Sequence, residues 1–295
     1  MTTALALDAW RSHRLDAPVP DMFDAPGIAA SAVRCLVLEL ETWPKPGLVS
    51  HIDSGSHEDM DAHTFRVSAA ALEPYFRALA DAGARGSGMG QLRIIGLEAE
   101  AAMLAATSGV NTHRGAIFGL GLLCAAAGAV ASGRIEPALS LGASVSHLWG
   151  NNILNRPLVL HSNGGSVLRR FGAGGARFEA AFGFPSIFDV GLPALRRGVR
   201  NAPGDNEAAR VEACFALLAT VEDTNLLHRG GLPGLRFARR AARTFLDEGG
   251  VGGPDWRERA RAVHDSFVAR RLSPGGAADL LAMTLFVEAH ERRFS

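Results

Sequence analysis

Apolar residues recur at helical spacing along most of this chain. The pattern indicates central helices where the segment is apolar almost all round, as in Ile28–Glu41, and an outer helix where charges dominate, as in Asp255–Arg271. The fold class predicted is all-α, a single multi-helix bundle domain with irregular, motif-bearing loops. The helices predicted are Ile28–Glu41, Thr64–Asp81, Gln91–Ala106, Gly115–Ser132, Glu136–Gly150, Asn206–His228, Leu235–Glu248, Asp255–Arg271 and Pro274–Arg292.

Strand signals are almost absent, and Pro157–Leu160 is the best short candidate. Glycines in His161–Gly175 and prolines in Gly183–Gly204 predict two long connections. Residues 1–27 are expected to form a weakly ordered N-terminal segment, and residues 28–295 an all-helical catalytic domain. No repeat period is visible.

Composition narrows the class of protein. With 47% hydrophobic residues and a formal net charge of zero, the 295-residue chain has ample material for a core and no basic excess that would favour nucleic acid. The uncharged run Gly115–Ala131 is at the short edge of a membrane span and is predicted to be a buried core helix. Three cysteines in separate apolar runs indicate buried thiols, and no secretory signal is apparent. The chain is expected to be cytoplasmic, with no membrane partner.

One lysine stands out against an extreme preference for arginine. Of the 30 basic residues only Lys45 is a lysine, and it lies between Pro44 and Pro46. Its retention suggests a task that arginine cannot perform.

The first polar cluster follows the Ile28–Glu41 helix, in the sequence TWPKPGLVSHIDSGSHEDMDAHTF from Thr42. In an extended segment, His57, Asp59, Asp61 and His63 would point the same way. Such a nest of imidazoles and carboxylates suits Mg²⁺ binding and proton transfer. The alternative is a helix-capping region with hydrated acids.

The second cluster is SGVNTHRGAIFGLGLL, from Ser108. Asn111 or Thr112 can cap the following helix, which places His113 and Arg114 in its first turn. Cations are unfavourable there unless they serve an anion, so this cluster indicates a phosphate site. Small residues at 115, 119 and 121 are interpreted as helix-packing positions.

The third cluster closes the predicted helix Asn206–His228 and holds Glu222, Asp223, Asn225, His228 and Arg229. Acids in a last helical turn oppose the helix dipole, so they require a metal ion or an arginine partner. The alternative is a surface salt bridge. Gly230 and Gly231 are expected to stop the helix.

The fourth cluster is RLSPGGAADLLA. Ser273 is a good N-cap and Pro274 a good first helical residue, while Gly275 and Gly276 leave the helix N-terminus bare for phosphate. A plain helix start is the alternative. His264 and Asp265 are interpreted as structural residues.

Together the four segments resemble those of the triphosphoribosyl-dephospho-CoA synthase family, in order, from about residue 28 to residue 290. Ser50 stands where the family pattern has an acid. The resemblance implies transfer of the ribose triphosphate of ATP to the 2′-hydroxyl of 3′-dephospho-CoA, with release of adenine. The product would pass to a carrier-protein transferase that serves malonate decarboxylase or citrate lyase.

The resemblance also implies residue roles. Phosphate binding falls to Lys45, His113, Arg114 and Arg229, and further substrate contacts to Asn111, Ser273, Gly275 and Gly276. Asp59, Asp61 and Asp223 would carry Mg²⁺ or brace the anomeric carbon. His57 or one of these aspartates would take the hydroxyl proton, and Asn225 or His228 would ease the departure of adenine.

Two other functions are compatible with the residues alone. One is a Mg²⁺-dependent all-α hydrolase of a nucleotide or of ADP-ribose, which differs only in using water as the acceptor. The other is a non-catalytic nucleotide-binding protein. In the synthase interpretation, one pocket should gather Lys45, Asp59, Asp61, His113, Asp223 and His228.

Overall fold

The computed structural model describes residues 24–155 and 175–291. Every regular element in these ranges is helical, which confirms the all-α class. A π-helical turn, Ser186–Gly191, and a 3₁₀ turn, Gly250–Gly252, join longer helices. The α-helices are α1 Ala25–Leu40, α2 Ala62–Ala84, α3 Met89–Ala106, α4 Arg114–Ala131, α5 Leu141–Leu154, α6 Gly175–Ala181, α7 Leu192–Asn201, α8 Asn206–Thr220, α9 Thr224–Asp247, α10 Trp256–Val268 and α11 Gly275–Glu291.

Helix α8 joins two apolar clusters into one bundle. One face of α8, with Ala213 and Leu217, packs into the main core formed by α1–α5 and α11. The other face, with Phe215 and Leu218, packs into a smaller cluster with α9 and α10. Because α8 is buried on both faces, the two clusters are expected to unfold together.

Helix α4 is the central helix of the main core, in contact with α1, α2, α3, α5 and α11. It crosses α2 so closely that a Cβ on Gly83 would lie 1.8 Å from the Ala125 carbonyl oxygen, and one on Gly128 2.0 Å from that of Ala80. By length and composition α4 could span a membrane, but 72% of it is buried inside the protein. This is the predicted core helix.

The first described helix begins earlier than predicted. Asp24 Oδ1 accepts a hydrogen bond from the Gly27 amide at 2.8 Å, and Pro26 occupies the first turn, so Ala25 rather than Ile28 opens α1. Residues 25–27 therefore belong to the bundle. The rest of the predicted N-terminal segment, residues 1–23, lies outside the described residues.

The prediction of one helix over Asn206–His228 is wrong. Helix α8 ends at Thr220, Val221 is extended, and Asp223 is the N-cap of the next helix, accepting from the amides of Asn225 and Leu226 at 2.8 and 3.1 Å. Asp223 therefore lies at a helix start, where negative charge is favourable, and not in a last turn. The predicted break near Gly231 is present within α9, where its φ is 58°.

The predicted connection Gly183–Gly204 is also wrong in part, because it contains the π-helical turn and α7. Pro193 lies in the first turn of α7, where the absence of an amide hydrogen costs nothing. Arg196 pairs with Glu288 on α11, and Arg197 pairs with Glu212 on α8. The strand candidate 157–160 and residues 161–174 lie outside the described residues.

The loop between α1 and α2 is held against the far end of the chain. Gly47, at φ 65°, approaches so closely that a Cβ would lie 2.1 Å from the Leu272 carbonyl oxygen. Ser56 donates to the same carbonyl at 2.7 Å. His264 bonds the Lys45 carbonyl through Nδ1 at 2.6 Å, and its Nε2 lies 3.3 Å from Asp53, which supports its structural interpretation. These contacts fix the first cluster beside the start of α11.

Ser50 stabilises the turn that follows it. Its hydroxyl accepts hydrogen bonds from the Ile52 and Asp53 amides at 3.1 and 3.3 Å. The serine therefore has a local structural role.

Candidate active site

One cleft of about 1090 Å³ gathers parts of all four clusters. It is formed by α1, the loop before α2, the start of α4, the α8–α9 break and the start of α11. Ten of the predicted site residues line it: His57, Asn111, His113, Arg114, Asp223, Asn225, Arg229, Ser273, Gly275 and Gly276. Of the six residues expected to share one pocket, only His113 and Asp223 line it, whereas Lys45, Asp59, Asp61 and His228 do not.

Lys45 is not a wall residue of this cleft. Its side chain is 0% exposed, and its amino group bonds the carboxylate of Glu39 on α1. Glu39 itself lines the cleft. Burial raises the pKa of Glu39, and the Lys45 charge opposes the rise. Direct contact between Lys45 and a triphosphate, as predicted, is therefore wrong; the lysine acts on the cleft through Glu39.

Asp279, on the first turns of α11, is a second acid that sequence reasoning missed. Its carboxylate meets the start of α4, where the Ala116 amide bonds it. A Cβ on Gly115 would lie 1.9 Å from Asp279 Oδ2, so the glycine makes room for the carboxylate. Burial, followed by the charges of Glu39 and Asp223, raises the pKa of Asp279 well above its ordinary value. This group is a candidate proton donor.

Asp223 joins two helices. Oδ1 caps α9, and Oδ2 accepts from the Ala277 amide of α11 at 2.9 Å. Burial raises the pKa of Asp223, while backbone amides of both helices oppose the rise. The hydrogen bonds from these amides fix the position of the carboxyl group in the wall of the cleft.

The two glycines of the fourth cluster have a packing role besides the one predicted. A Cβ on Gly275 would lie 2.7 Å from Asn225 Nδ2, and one on Gly276 3.0 Å from Asp223 Oδ2. The bare N-terminus of α11 therefore receives the Asp223 carboxylate and the Asn225 amide group. Asp223 occupies the backbone amides of Gly276 and Ala277, so a phosphate would have to displace its carboxylate to use them. The substrate contacts expected at Gly275 and Gly276 stay a prediction.

His57 and Ser273 form a contact between the first and fourth clusters. His57 Nε2 lies 2.8 Å from Ser273 Oγ, and Arg229 donates to His57 Nδ1 at 3.3 Å. Burial, followed by the Arg229 charge, lowers the pKa of His57. A neutral ring that accepts at Nδ1 carries its proton on Nε2 and donates to Ser273. In that tautomer His57 has no free lone pair, whereas Asp59 Oδ1, 3.5 Å from Nδ1, favours the other tautomer. The role of His57 as a base therefore stays a prediction.

His113 lies deep in the cleft and is 4% exposed. Its Nδ1 is 2.7 Å from Ser68 Oγ, which accepts from Thr112 Oγ1 at 2.7 Å. Burial, followed by the Lys45 charge, lowers the pKa of His113 to about 3. The ring is therefore neutral, and the predicted cationic phosphate contact by His113 is wrong.

Arginines line the solvent edge of the cleft. Arg114 begins α4, where Asn111 Oδ1 accepts from its amide at 3.3 Å, and its guanidinium pairs with Glu100 on α3 at 3.1 Å. Arg93 is exposed and makes no ion pair with any described residue. Together with Arg229, these side chains place positive charge at the mouth.

Three predicted residues lie away from the cleft wall. Asp61 is exposed and caps α2 in a reciprocal pair with Thr64, which also lowers the pKa of Asp61. Asp59 is 62% exposed, 3.5 Å from His57 Nδ1, and His228 is exposed on α9. In residues 24–155 and 175–291 no group of three metal-ligating side chains comes together, so Asp59, Asp61 and Asp223 are not a shared Mg²⁺ site.

The role of Gly115 gives a sharp test. Gly115→Ala is expected to displace the Asp279 carboxylate and lower activity at least about tenfold, because the new methyl group would overlap Oδ2. Gly90→Ala, on α3 with no atom within 4 Å of the added Cβ, is the matched control and should keep activity. Steady-state kinetics and thermal unfolding of both variants check this. Equal activities would show that the carboxylate position is unimportant.

Comparison with known proteins gives a consistent result. The family described as ATP:dephospho-CoA triphosphoribosyl transferase matches residues 25–295. A Stutzerimonas stutzeri protein named probable 2-(5''-triphosphoribosyl)-3'-dephosphocoenzyme-A synthase is 42% identical over 88% of this chain and 90% of its own length. A Pectobacterium atrosepticum protein named 2-(5''-triphosphoribosyl)-3'-dephosphocoenzyme-A synthase is 40% identical over 84% of each chain. No solved structure matches.

The helical bundle, its cleft and these matches define a transferase that uses ATP. The chain belongs to the ATP:dephospho-CoA triphosphoribosyl transferase family. The resemblance seen in the four segments is confirmed.

Proposed function

We propose that this chain transfers the 5-triphosphoribosyl group of ATP to the 2′-hydroxyl of 3′-dephospho-CoA and releases adenine. The product would be the prosthetic-group precursor for the acyl carrier protein of malonate decarboxylase or citrate lyase. The observation that carries the proposal is the charge polarity of the cleft. Exposed arginines stand at its mouth, and three acidic side chains form its floor: Glu39 and Asp223, which are buried, and Asp279, which is half-buried.

This polarity orients ATP. The triphosphate binds at the mouth, where Arg93, Arg114 and Arg229 supply positive charge. The acidic floor repels phosphate and receives the ribose and the base. Breaking the bond between C1′ and adenine leaves positive charge on the sugar, which the carboxylates of Glu39 and Asp223 stabilise.

Protons balance across two floor residues. The 2′-hydroxyl oxygen bonds C1′, the C1′–N9 bond breaks, and its electron pair stays with adenine. Glu39 takes the hydroxyl proton, since Lys45 holds one carboxylate oxygen and Oε2 has no hydrogen bond within the described residues. Asp279, protonated because of its raised pKa, supplies a proton to adenine.

Mg²⁺ belongs to the nucleotide substrate in this proposal. Magnesium in nucleotide sites is commonly held by substrate phosphates and one or two carboxylates, without an all-protein cage. That arrangement agrees with the lack of a three-ligand cluster among the described residues. In the assay below, a chelator is expected to abolish turnover and added Mg²⁺ to restore it. Full turnover in excess chelator would remove the ion from the proposal.

Adenine release is the decisive assay. Protein, ATP and Mg²⁺ are incubated with and without 3′-dephospho-CoA, and adenine is measured by chromatography. Rapid release only with the acceptor is expected, because its 2′-hydroxyl is the nucleophile in the proposed transfer. Equal release without acceptor would identify a hydrolase. ATP binding without turnover in either mixture would identify a non-catalytic nucleotide-binding protein.

A further inference from the structure

His113 has one ring nitrogen without a partner. Among the described residues, Nε2 is buried and makes no hydrogen bond, although the ring lines the cleft. A buried polar atom without a partner is costly unless a ligand or water completes it. The atom therefore marks a place where a bound molecule is recognised.

The hydroxyl chain behind the ring decides which kind of atom Nε2 recognises. Thr112 donates to Ser68 Oγ, and we infer that the Ser68 hydroxyl hydrogen is directed to His113 Nδ1, 2.7 Å away. A neutral ring that accepts at Nδ1 carries its proton on Nε2. His113 thus presents a fixed, uncharged N–H donor to the cleft.

We propose that the Nε2–H of His113 donates a hydrogen bond to a ring nitrogen of the adenine of ATP, and thereby both recognises the purine and stabilises it as it departs. This inference rests on the proposed function. Adenine offers N3 and N7 as neutral acceptors, and each gains electron density when the C1′–N9 bond breaks. A donor aimed at developing charge stabilises the transition state more than the ground state.

The surroundings favour a base nitrogen over a phosphate oxygen. His113 lies close enough to Lys45 for that charge to lower the pKa of the ring, so the donor is uncharged. Phe65 meets the ring edge-on at 4.9 Å between centroids, which fixes the plane of the imidazole. A planar uncharged donor packed against an aromatic ring suits a planar uncharged base better than a triphosphate.

The test crosses protein variants with ATP analogues that lack one ring nitrogen. Wild-type protein, His113→Leu and His113→Gln are assayed for base release with ATP, 3-deaza-ATP and 7-deaza-ATP. Leucine removes the donor, whereas the glutamine amide keeps an N–H near the position of Nε2. His113→Leu is expected to lose about 100-fold in kcat with ATP, and His113→Gln to recover part of that loss.

The analogue ratios separate this inference from its rivals. One analogue lacks the ring nitrogen that His113 bonds. For that analogue the ratio of kcat with ATP to kcat with the analogue should be about 100-fold larger in wild type than in His113→Leu. For the other analogue the two proteins should give the same ratio. Identical ratios for both analogues would overturn the inference and assign His113 to a ribose hydroxyl, to a phosphate or to folding. Wild-type protein that releases no adenine from ATP would instead reject the proposed function.

A second measurement tests the inference without substituting His113. In ¹⁵N-labelled wild-type protein, the His113 ring should show the Nε2–H form, and Ser68→Ala should convert it to a mixture, because the acceptor bond at Nδ1 loses its donor. Nδ1–H in the wild type would overturn the inference. Ser68→Ala should also lower kcat more than it raises KM for ATP.

Discussion

Asp279→Asn is expected to lower kcat for adenine release by at least about 100-fold, the usual contribution of a general acid. Asparagine matches the shape of the protonated carboxyl and keeps the contacts at the start of α4, but it has no proton to transfer. The loss should appear in kcat, with KM for ATP changed little. Asp265→Asn, at an exposed position on α10, is the matched control.

Asp279→Asn is also expected to change the pH dependence of stability. The pKa of Asp279 is raised above the unfolded value of about 3.9. In the window from that value to the folded pKa, the native state holds a proton that the unfolded chain has lost, so stability falls as pH rises. Wild type should lose stability across this window, and Asp279→Asn should lose less and melt at an equal or higher temperature at neutral pH.

The pH dependence of activity is a second test of Asp279 as the general acid. Because the acid must be protonated, wild-type kcat should fall as pH rises through the folded pKa of Asp279, and that limb should be missing from the residual activity of the variant. Wild-type kcat in the variant, or an unchanged basic limb, would exclude Asp279 as the acid.

Lys45→Met is expected to destabilise the protein by about 3–5 kcal/mol, because it leaves the Glu39 charge buried and unpaired. Lys45→Arg should cost about 1–3 kcal/mol, since a larger guanidinium must fit where the lysine is 0% exposed. Denaturant unfolding monitored by circular dichroism measures both. Activity should fall in each variant through misplacement of Glu39.

The double variant Lys45→Met with Glu39→Gln separates pairing from packing. Removing both charges should recover much of the stability lost in Lys45→Met, so the two changes should be strongly non-additive. Activity should remain absent, because the floor carboxylate is gone. Additive losses would show that the two side chains do not depend on each other in the folded state.

The sequence predicted the bundle because apolar periodicity is a local property of each helix. It failed where a short polar signal competes with a long apolar pattern. The segment 206–228 looks continuous, yet Asp223 as an N-cap outweighs the periodicity and begins a new helix. Because Asp223 lies at the start of a helix and not at its end, the electrostatic argument that required a metal ion or an arginine partner there no longer applies.

The candidate site was predictable as four segments but not as a geometry. Clusters rich in polar residues were visible, whereas Glu39 and Asp279 each stand between apolar neighbours within a helix and escaped notice. An acid inside an apolar stretch of a helix is the signal that could have identified both, since burial of such a group requires a partner or a function. Asp61 shows the opposite case. It is a conspicuous acid in the sequence, but in the structure its side chain caps a helix.

The burial of Lys45 has a consequence for chemical labelling. It is the only lysine in the sequence, and its amino group is sealed in the core. Reagents that acylate side-chain amines therefore have no target on the folded protein, and a single target appears when the core opens. The rate at which one acyl group adds at position 45, read by mass spectrometry, would report the opening of the cleft floor directly.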